Sequence, residues 1–498
     1  MGRKNRVFQE LSAVIFSVIT LFSSSSFAKY SGGTGEPNTP YQIADVNDLL
    51  TLANDANDYN QCFILTADIN LTGQTFTQAP IAPDTNNSNW SYEGTQFSGV
   101  FEGNGHTIFN LTITAEEQDY IGLFGYIDSN SRIQNLSLVD VNITGRTRVG
   151  ILAGKNAGNL TYCITTGSVN ASSVVGGMVG SNEGSLTSCY ATCSVSGPGA
   201  GGTVGGLAGE NYFGSLNNCY AAGSADGYGY VGGLVGVNNN GSITSCYVAA
   251  SAAGKVYVGG VAGDNSGSLT HCYSTYPVSG TEQYNYYIGG LAGSNSGSLT
   301  YCYATGPVSG YNSVGGLVGL NYDSLTSCFW DVNTSGTTDG VSNMNPDPNG
   351  AIGKTTIEMQ MESTFTAAGW DFNNVWAICD GTNYPKLIWQ IPSGDIICPD
   401  GVDIFDLAEL CEQWLFEEIP ADLAPPGGDG IVNFADFCIF AEQWGITNGI
   451  YDLLDFSQQW LKTGLQFCSA DIAPAPDGDR RVDAYDFALM AENWLTGL

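Results

Sequence analysis

Oxygen-bearing side chains recur at short spacing near the C-terminus, where they could bind a metal ion. The clearest candidates are Asp429, Asn433 and Asp436 in GGDGIVNFAD, and Asp477, Asp479, Asp483 and Asp486 in DGDRRVDAYD. Oxygen donors at every second or third position, a glycine for the bend and a final carboxylate entering a helix form the pattern of a calcium loop. Asp422 and Asp471 lie upstream, across a Pro-containing insertion, as displaced first ligands. We therefore predict Ca²⁺ at these two loops.

Two further copies of the acidic pattern are weaker candidates for calcium binding. The copy with Asp400, Asp403 and Asp406 is one residue short, and the copy with Asn448, Asp452 and Asp455 lacks the early ligands. Each acidic stretch precedes a segment with the pattern of an amphipathic helix. The alternative is therefore a solvated helix cap, because Asp favours the N-terminus of a helix.

Seven cysteines recur 26 to 30 residues apart in the middle of the chain. They are Cys163, Cys189, Cys219, Cys246, Cys272, Cys302 and Cys328. Stacked repeats would bring their Cα atoms near the distance that a disulfide needs, but parallel Cβ directions disfavour its torsion. We predict reduced, buried thiols that act as small apolar spacers. Disulfides between repeats and a metal array are the alternatives.

The same period governs the residues around each cysteine. A segment similar to GGLVG is followed by an Asn, a short turn and a segment similar to GSLTxCY. Gly, β-branched residues and Tyr disfavour helices here, so we predict short strands that coil once per repeat into a parallel β-solenoid. Equivalent side chains then stack in rows about 4.8 Å apart.

Two of these rows should stabilise the solenoid. The apolar row consists of Leu160, Leu186, Leu216, Ile243, Leu269, Leu299 and Leu325. The Asn row consists of Asn156, Asn182, Asn211, Asn238, Asn265, Asn295 and Asn321. We expect each Asn amide to bond to the Asn of the next coil, at a turn where Asn tolerates a left-handed backbone.

Tyrosines are the candidate ligand-binding residues of the solenoid. Five directly follow a cysteine (Tyr190, Tyr220, Tyr247, Tyr273 and Tyr303), and three lie in the variable loop TEQYNYY (Tyr284, Tyr286 and Tyr287). Because successive residues of a strand point to opposite faces, a tyrosine after an inward cysteine should point outward. An outward aromatic row could bind sugar rings. The alternative is that stacked tyrosines only stiffen the sheet.

The charge distribution excludes nucleic acid as a partner, and the sequence favours a non-catalytic protein. Asp and Glu total 48 against 14 Lys and Arg, and the net charge of -34 repels a phosphate backbone. The two histidines, His106 and His271, form no HExxH zinc motif, and we interpret both as polar groups of turns. Carboxylates inside the repeats are sparse and unaligned (Glu183, Glu210, Asp226, Asp264), and Lys155 and Lys255 are isolated.

The first 28 residues have the features of an export signal. Arg3, Lys4 and Arg6 precede an apolar run at residues 11–22, and the small residues Ser26 and Ala28 predict cleavage after Ala28. No later segment has the roughly 20 apolar residues of a membrane-spanning helix. We therefore expect a secreted protein or one held at the cell surface.

The repeats resemble the GLUG repeat, a motif of secreted bacterial proteins that include adhesins and the non-catalytic parts of some immunoglobulin-A peptidases. The resemblance implies a pectin-lyase-like, right-handed parallel β-helix over residues 29–392. Its opening segment would cover about 31–115, its core coils about 116–335 and its closing segment about 336–392. The acidic loops resemble those of dockerins, which implies a small calcium-binding helical domain at 393–498 that binds a cohesin or another cell-surface protein.

The fold class expected from the sequence is therefore mainly β, with a small α-helical domain at the C-terminus. The expected function is adhesion, scaffolding or glycan binding outside the cell, with attachment through the calcium-dependent tail. A polysaccharide lyase or glycoside hydrolase is the alternative, because pectin-lyase-like folds also carry such enzymes. That analogy of fold alone is a weak argument for activity.

Overall fold

The computed structural model describes residues 29–281, 287–392, 395 and 398–399. These residues form two compact units, one up to Gly353 and one from Lys354 onward. The first unit is a parallel β-solenoid. The predicted closing segment at about 336–392 spans the end of the first unit and the start of the second. The predicted signal peptide and nearly all of the predicted dockerin-like domain lie outside the described residues.

Four ladders of short parallel strands form the solenoid, and two of them bear the predicted rows. The Leu ladder has eleven strands: Tyr41–Ile43, Cys62–Leu65, Val100–Glu102, Arg132–Gln134, Asn159–Thr161, Ser185–Thr187, Ser215–Asn217, Ser242–Thr244, Ser268–Thr270, Ser298–Thr300 and Leu325–Thr326. The Asn ladder has eight strands: Phe124–Ile127, Ala153–Asn156, Val179–Asn182, Ala208–Tyr212, Val235–Asn239, Ala262–Asn265, Ala292–Asn295 and Val318–Asn321.

The other two ladders complete each coil. The Tyr ladder comprises Ile69–Asn70, Thr107–Phe109, Thr112–Ile121, Ser137–Val149, Ile164–Ala171, Tyr190–Gly197, Tyr220–Gly227, Tyr247–Gly254, Tyr273–Ser274, Val278–Gly280, Tyr303–Ala304, Val308–Ser309 and Cys328–Asp331. The bend ladder comprises Val174–Gly176, Thr203–Gly205, Tyr230–Gly232, Tyr257–Gly259, Tyr287–Gly289 and Val314–Gly315. The C-terminal ends of Thr112–Ile121 and Ser137–Val149 extend the bend ladder in the first coils. A further strand, Ala351–Lys354, follows.

Strand register confirms the predicted apolar row. Leu186 pairs with Leu160 on one side and with Leu216 on the other, and the row continues to Leu325. These side chains are buried up to Leu299 and partly buried at Leu325. Burial of one such side chain contributes about 1.5–3 kcal/mol. Each coil therefore adds a similar increment of stabilising free energy through its buried Leu or Ile.

A helix, α1 (Val46–Asn54), packs against the first strand of the Leu ladder. Asp45 caps its N-terminus by accepting two backbone hydrogen bonds, at 2.7 and 3.0 Å. Leu49 and Leu52 form its buried face. A 3₁₀ turn, Ala56–Asp58, follows the helix.

The predicted hydrogen bonds along the Asn row are present in every step from Asn156 to Asn321. Each Nδ2 donates to the Oδ1 of the next Asn at 2.7–2.9 Å. All seven side chains are buried. Because a buried amide without partners is costly, this continuous chain of bonds explains why one residue type fills the row.

The left-handed backbone that we predicted for the Asn row lies at another position. The residue directly before each cysteine has φ between 49° and 54°: Tyr162, Ser188, Asn218, Ser245, His271, Tyr301 and Ser327. Residues of a regular strand share a face at spacings of two, whereas the inward Leu and Cys are three residues apart. A left-handed residue between them resets the alternation, so both side chains reach the core.

Glycines allow the bend ladder and the Asn ladder to pack backbone against backbone. A Cβ atom on Gly263 would lie 2.6 Å from the backbone nitrogen of Val231 and 2.7 Å from the carbonyl oxygen of Gly236. A Cβ atom on Gly293 would likewise lie 2.6 Å from the nitrogen of Val258. The glycine two residues before each Asn is therefore required by close approach of the chain.

The second unit contains two short helices and an antiparallel strand pair. Helix α2 (Thr356–Met359) begins at a capping box and is followed by α3 (Glu362–Thr366). Strand Trp376–Ala377 pairs with Lys386–Leu387, and a 3₁₀ turn, Ile388–Gln390, follows. Among the described residues of this second unit, the buried hydrophobic side chains are Met359, Phe365, Trp370, Trp376 and Leu387. Cys379 and Cys398 form a disulfide.

Candidate functional site

The predicted calcium ligands and two predicted aromatic residues, Tyr284 and Tyr286, lie outside the described residues. The calcium loops therefore stay a prediction. Within the described part of the chain, no group of three or more His, Cys, Asp or Glu side chains could hold a metal ion.

The cysteine row consists of free, buried thiols, as predicted for apolar spacers. All seven residues from Cys163 to Cys328 are buried and unbridged. Their thiols bond weakly to nearby carbonyls, as Cys246 does to Thr244 at 3.2 Å. Burial raises the pKa of the Cys219, Cys246 and Cys328 thiols. Because all seven thiols are buried and unbridged, the row is structural in character.

The tyrosines that follow the cysteines stack along the Tyr ladder. Ring centroids of neighbours lie 4.7–5.4 Å apart from Tyr190 to Tyr303. Tyr190, Tyr220 and Tyr247 are half-buried. The structure differs from the predicted outward row at Tyr273 and Tyr303, which are buried. Outward binding of sugars by this row is therefore limited to its first three members.

The buried tyrosines lie where the strands of the Tyr ladder become shorter. In earlier coils the tyrosine begins an eight-residue strand, such as Tyr220–Gly227 or Tyr247–Gly254. In the last coils the strand ends after two residues, at Tyr273–Ser274 and Tyr303–Ala304. Because Tyr273 still stacks on Tyr247, and Tyr303 on Tyr273, in register, their rings keep the direction of the earlier tyrosines, and they differ from them in burial alone.

Both histidines make contacts that fit the predicted turn positions. His106 Nδ1 lies 3.3 Å from Asp68 Oδ1 at a turn before a strand. The His271 ring stacks on Tyr301 at 5.5 Å.

Two adjacent rows of side chains form an elongated surface, here called the strip. The bend row follows the bend ladder and consists of Tyr120, Arg148, Val174, Thr203, Tyr230, Tyr257 and Tyr287. The Asn-side row follows the Asn ladder and consists of Tyr126, Lys155, Ser181, Glu210, Val237, Asp264 and Ser294. A Cβ atom on Gly154 would lie 2.3 Å from the carbonyl carbon of Tyr120. The two rows therefore run side by side.

At one end of the strip, aromatic rings and cations surround Trp90 and form what we call the Trp90 cluster. The indole is 68% exposed, and the Arg146 guanidinium carbon lies 5.4 Å from its ring centre. Asp119 holds Arg146 through two bonds of 2.6 and 2.8 Å, and the Asn87 carbonyl accepts a third at 3.0 Å. The bond to Asp119 raises the pKa of Arg146. A charged guanidinium is thus fixed beside the indole.

Three tyrosines complete the Trp90 cluster. The buried Tyr120 donates its hydroxyl hydrogen to the Trp90 carbonyl at 3.0 Å. Tyr92 packs edge-on against Tyr120 and Tyr126, with centroids 5.4 and 5.0 Å apart. The Arg148 guanidinium carbon lies 5.1 Å from the Tyr120 ring centre. Arg148 is therefore held by a cation–π contact at the surface.

Lys155 extends the cluster into the Asn-side row. Its Nζ lies 4.8 Å from the Tyr126 ring centre and 2.8 Å from Glu183 Oε1. Burial lowers the pKa of Lys155, but the bond to Glu183 and the proximity of Tyr126 more than offset this, and the net shift is upward. Three cations, Arg146, Arg148 and Lys155, thus meet in a chain whose net charge is -34.

Internal hydrogen bonds close the loop that carries Trp90. Asp84 Oδ1 accepts the backbone N–H of Glu93 at 2.9 Å. Asn86 and Asn89 donate to the Glu93 carboxylate at 2.9 and 2.6 Å and lower its pKa. These bonds position the indole before any ligand arrives.

Glu210 places a carboxyl group in the middle of the strip, between Ser181 and Val237. Burial raises its pKa, the charge of Arg148 opposes this shift, and Glu183 adds to it. A carboxyl group with a raised pKa can act as a proton donor. Glu210 is therefore the candidate acid of the strip.

At the other end of the strip, Tyr230, Tyr257 and Tyr287 stack as what we call the Tyr257 column. Their ring centroids lie 4.9 and 5.5 Å apart, and neighbouring planes differ by 4° and 18°. All three are half-exposed. Burial raises the pKa of Tyr257, with smaller contributions from its neighbours, including Asp264 and Tyr322.

Sequence reasoning found Tyr287 and missed the rest of this site. Trp90 lies in a loop before the repeats, and Arg146 and Arg148 lie in the coil before the first GLUG-like copy. Because Trp90 is far from both arginines along the chain, no local sequence pattern indicates that they come into contact. The Tyr-Val-Gly spacing of Tyr230 and Tyr257 is a periodic signal that could have revealed the column.

Comparison with known proteins identifies the repeat. A family model described as the GLUG motif matches residues 284–309. Halomucin of Haloquadratum walsbyi is 33% identical over 148 residues, which cover 28% of this chain and 2% of halomucin. A protein of Evansella cellulosilytica named as a Gly-rich membrane protein is 32% identical over 149 residues, or 29% of this chain and 16% of that protein. The chain thus spans a small part of the length of these relatives.

A solved Bacteroides ovatus structure, described as an immunoglobulin A1 protease, aligns with a TM-score of 0.43 and 21% identity. The alignment covers 73% of this chain and 96% of that one. The matched motif and the parallel ladders make this chain a GLUG-containing β-solenoid protein. In the described part of the chain, none of the helices has the length and hydropathy to cross a membrane.

Proposed function

We propose that this protein is an extracellular β-solenoid that binds glycans through the strip and so acts in adhesion or scaffolding. The observation that carries the proposal is the Trp90 cluster. It combines a largely exposed indole with a guanidinium that is fixed beside it at 5.4 Å.

The chemistry of the cluster matches that of a sugar ring. The flat indole offers an apolar face to the C–H groups of a ring, and Arg148 and Lys155 offer donors to its oxygens. Arg146 and Lys155 are already paired with carboxylates. This near balance of charge fits a neutral or weakly charged glycan better than a polyanion.

The proposed location outside the cell is supported by the sequence and by the names of two relatives. The first 28 residues have the pattern of an export signal. One relative is named halomucin and the other a Gly-rich membrane protein. A rod that displays a binding strip is suited to a surface role.

The acidic C-terminal region would attach this rod to its surroundings. We assign Ca²⁺ to the loops of Asp429 to Asp436 and Asp477 to Asp486, and more weakly to those of Asp400 to Asp406 and Asn448 to Asp455. A cohesin-like or other cell-surface protein would then receive the calcium-ordered helices.

A polysaccharide-degrading enzyme is the second candidate function, and Glu210 favours it. A half-buried carboxyl group whose pKa is raised by burial, near Arg148 and Glu183, has the character of a general acid. An enzyme would release a reaction product from the polysaccharide, whereas a binding protein would not.

An affinity gel with embedded polysaccharide tests both candidates. Xylan, laminarin, alginate and pectin are suitable probes, and at least one should retard the purified chain. Trp90→Ala and Arg148→Ala should strongly reduce the retardation, whereas Tyr276→Ala, which removes an exposed tyrosine from the Tyr ladder side, should preserve it. Migration of the wild-type chain that no polysaccharide alters would contradict the binding function. New reducing ends or unsaturated products that vanish in Glu210→Gln would establish the enzyme.

A further inference from the structure

The strip extends well beyond the Trp90 cluster, and both of its ends carry aromatic rings. We propose that the ligand is a linear glycan chain that lies along the solenoid axis and contacts the Trp90 cluster and the Tyr257 column at the same time. This inference rests on the proposed function and adds the shape and the orientation of the ligand.

The length of the strip follows from strand register. Six coil steps separate Tyr120 from Tyr287 in the bend row. At about 4.8 Å per step, the row spans about 29 Å. A single sugar ring at the Trp90 cluster cannot reach the Tyr257 column, whereas an extended chain can.

The middle of the strip leaves a path between the two ends. Val174, Ser181 and Thr203 are small and buried, so no large side chain of the bend row rises between Arg148 and Tyr230. Glu210 adds a carboxyl group at the same level. A polyhydroxylated chain that follows this path could form a hydrogen bond with the Glu210 carboxyl group.

The repetition of contacts also favours a polymer. The rings of the Tyr257 column lie 4.9 and 5.5 Å apart because each belongs to one coil. Successive units of a linear chain along the axis would meet equivalent rings. A single terminal sugar, or a globular protein, would make no use of this regular spacing.

Simultaneous contact with both ends predicts a dependence on chain length. A second contact made by the same molecule acts at a high effective concentration and can raise the apparent affinity roughly 10²- to 10⁴-fold when the spacing fits. Glycan fragments that span both ends should therefore bind at least tenfold more tightly than the shortest fragments. Substitution at either end should remove most of this gain.

The test uses size-separated fragments of whichever of xylan, laminarin, alginate or pectin retards the full chain. Their affinities are measured for the wild type, Trp90→Ala, Tyr257→Ala and the double variant, with Tyr276→Ala as the control. Both single variants should lose the gain for long fragments while keeping weak binding at the remaining end, and the double variant should lose that remaining binding as well. Hydroxyl-radical footprinting should show that a long fragment protects Trp90 and the Tyr257 column together. Unchanged thermal unfolding of the variants excludes misfolding as the cause.

The outcomes separate this inference from the proposed function. If short and long fragments bind equally, and only Trp90→Ala weakens them, glycan binding stands and the axial chain is overturned. If no glycan binds, both proposals are overturned. If sedimentation instead shows self-association that Tyr257→Ala abolishes, the column is an interface between copies, and the axial chain is again overturned.

Discussion

At the scale of single residues, Asn238 shows how strictly the fold selects a side chain. Its Oδ1 accepts a bond from Asn211 at 2.9 Å, and its Nδ2 donates to Asn265 at 2.8 Å and to the Gly241 carbonyl at 3.2 Å. Only a side-chain amide offers both a donor and an acceptor in this position. Asp has the same shape and lacks the donor.

We therefore expect Asn238→Asp to lower the free energy of unfolding by about 2–4 kcal/mol, because two acceptors would face a buried carboxylate. Urea-induced unfolding measures the loss. Asn217→Asp, the same change at an exposed site in a neighbouring ladder, is the matched control and should cost little. Acidification should restore part of the stability, since a protonated Asp regains a donor. Equal losses in both variants would contradict a specific contribution of the Asn row to stability.

Glu210 makes stability depend on pH in a direction that its environment sets. Burial raises its pKa above the ordinary value of 4.5. The folded state therefore holds the proton more tightly than the unfolded chain. Its contribution to stability is full below the unfolded pKa and declines as the pH rises through the folded pKa.

Glu210→Gln should accordingly be more stable than the wild type above this window, and the difference should shrink as the pH falls towards 4.5. Melting temperatures measured across the acidic to neutral range report it. Glu183→Gln is the comparison, because it removes a bond to Lys155 and gains no such stability. A difference between Glu210→Gln and wild type that stays constant with pH would contradict the assignment.

At the scale of elements, the cysteine row behaves as part of the core. Alkylation of the folded chain with iodoacetamide, followed by peptide mapping, should modify the half-buried Cys62 and leave Cys219 and Cys246 intact. Denaturant should make all three reactive, because exposure lowers the raised pKa of the buried thiols. Rapid labelling of Cys246 in the folded state would show that the ladder opens locally.

The ladders also show how far sequence predicts an element. The rows of Leu, Asn and Cys were predictable, because stacked coils force the same side chain into each equivalent position. The left-handed position was not, since residues as different as Tyr162, Ser188 and His271 occupy it and none is glycine. Backbone geometry, rather than side-chain chemistry, sets that demand.

The candidate site was harder to predict than the ladders for a related reason. Trp90 and Arg146 come from different coils, and their contact exists only after the chain has stacked. The Tyr257 column follows the period of the repeat, yet its tyrosines replace Val174 and Thr203 of earlier coils. A departure from periodicity is harder to recognise than the period itself.

At the scale of the whole molecule, function and attachment would be divided along the chain. The solenoid would hold the glycan, and the acidic C-terminal region would provide the attachment. Each coil contacts mainly its neighbours, so stability should accumulate coil by coil. The attachment depends on a different source of stability, since a calcium loop is ordered by the ion that it binds.

Calcium should therefore act on the C-terminal region and leave the solenoid unchanged. Calorimetric titration of the full chain with Ca²⁺ should show binding that Asp429→Asn together with Asp436→Asn reduces, and that Asp477→Asn together with Asp486→Asn reduces independently. Asp226→Asn, at an exposed position of the Tyr ladder, is the matched control. Chelation should lower helical circular dichroism while the glycan affinity persists. Binding of Ca²⁺ that survives all four substitutions would place the ion elsewhere, and loss of glycan binding on chelation would contradict this division of roles.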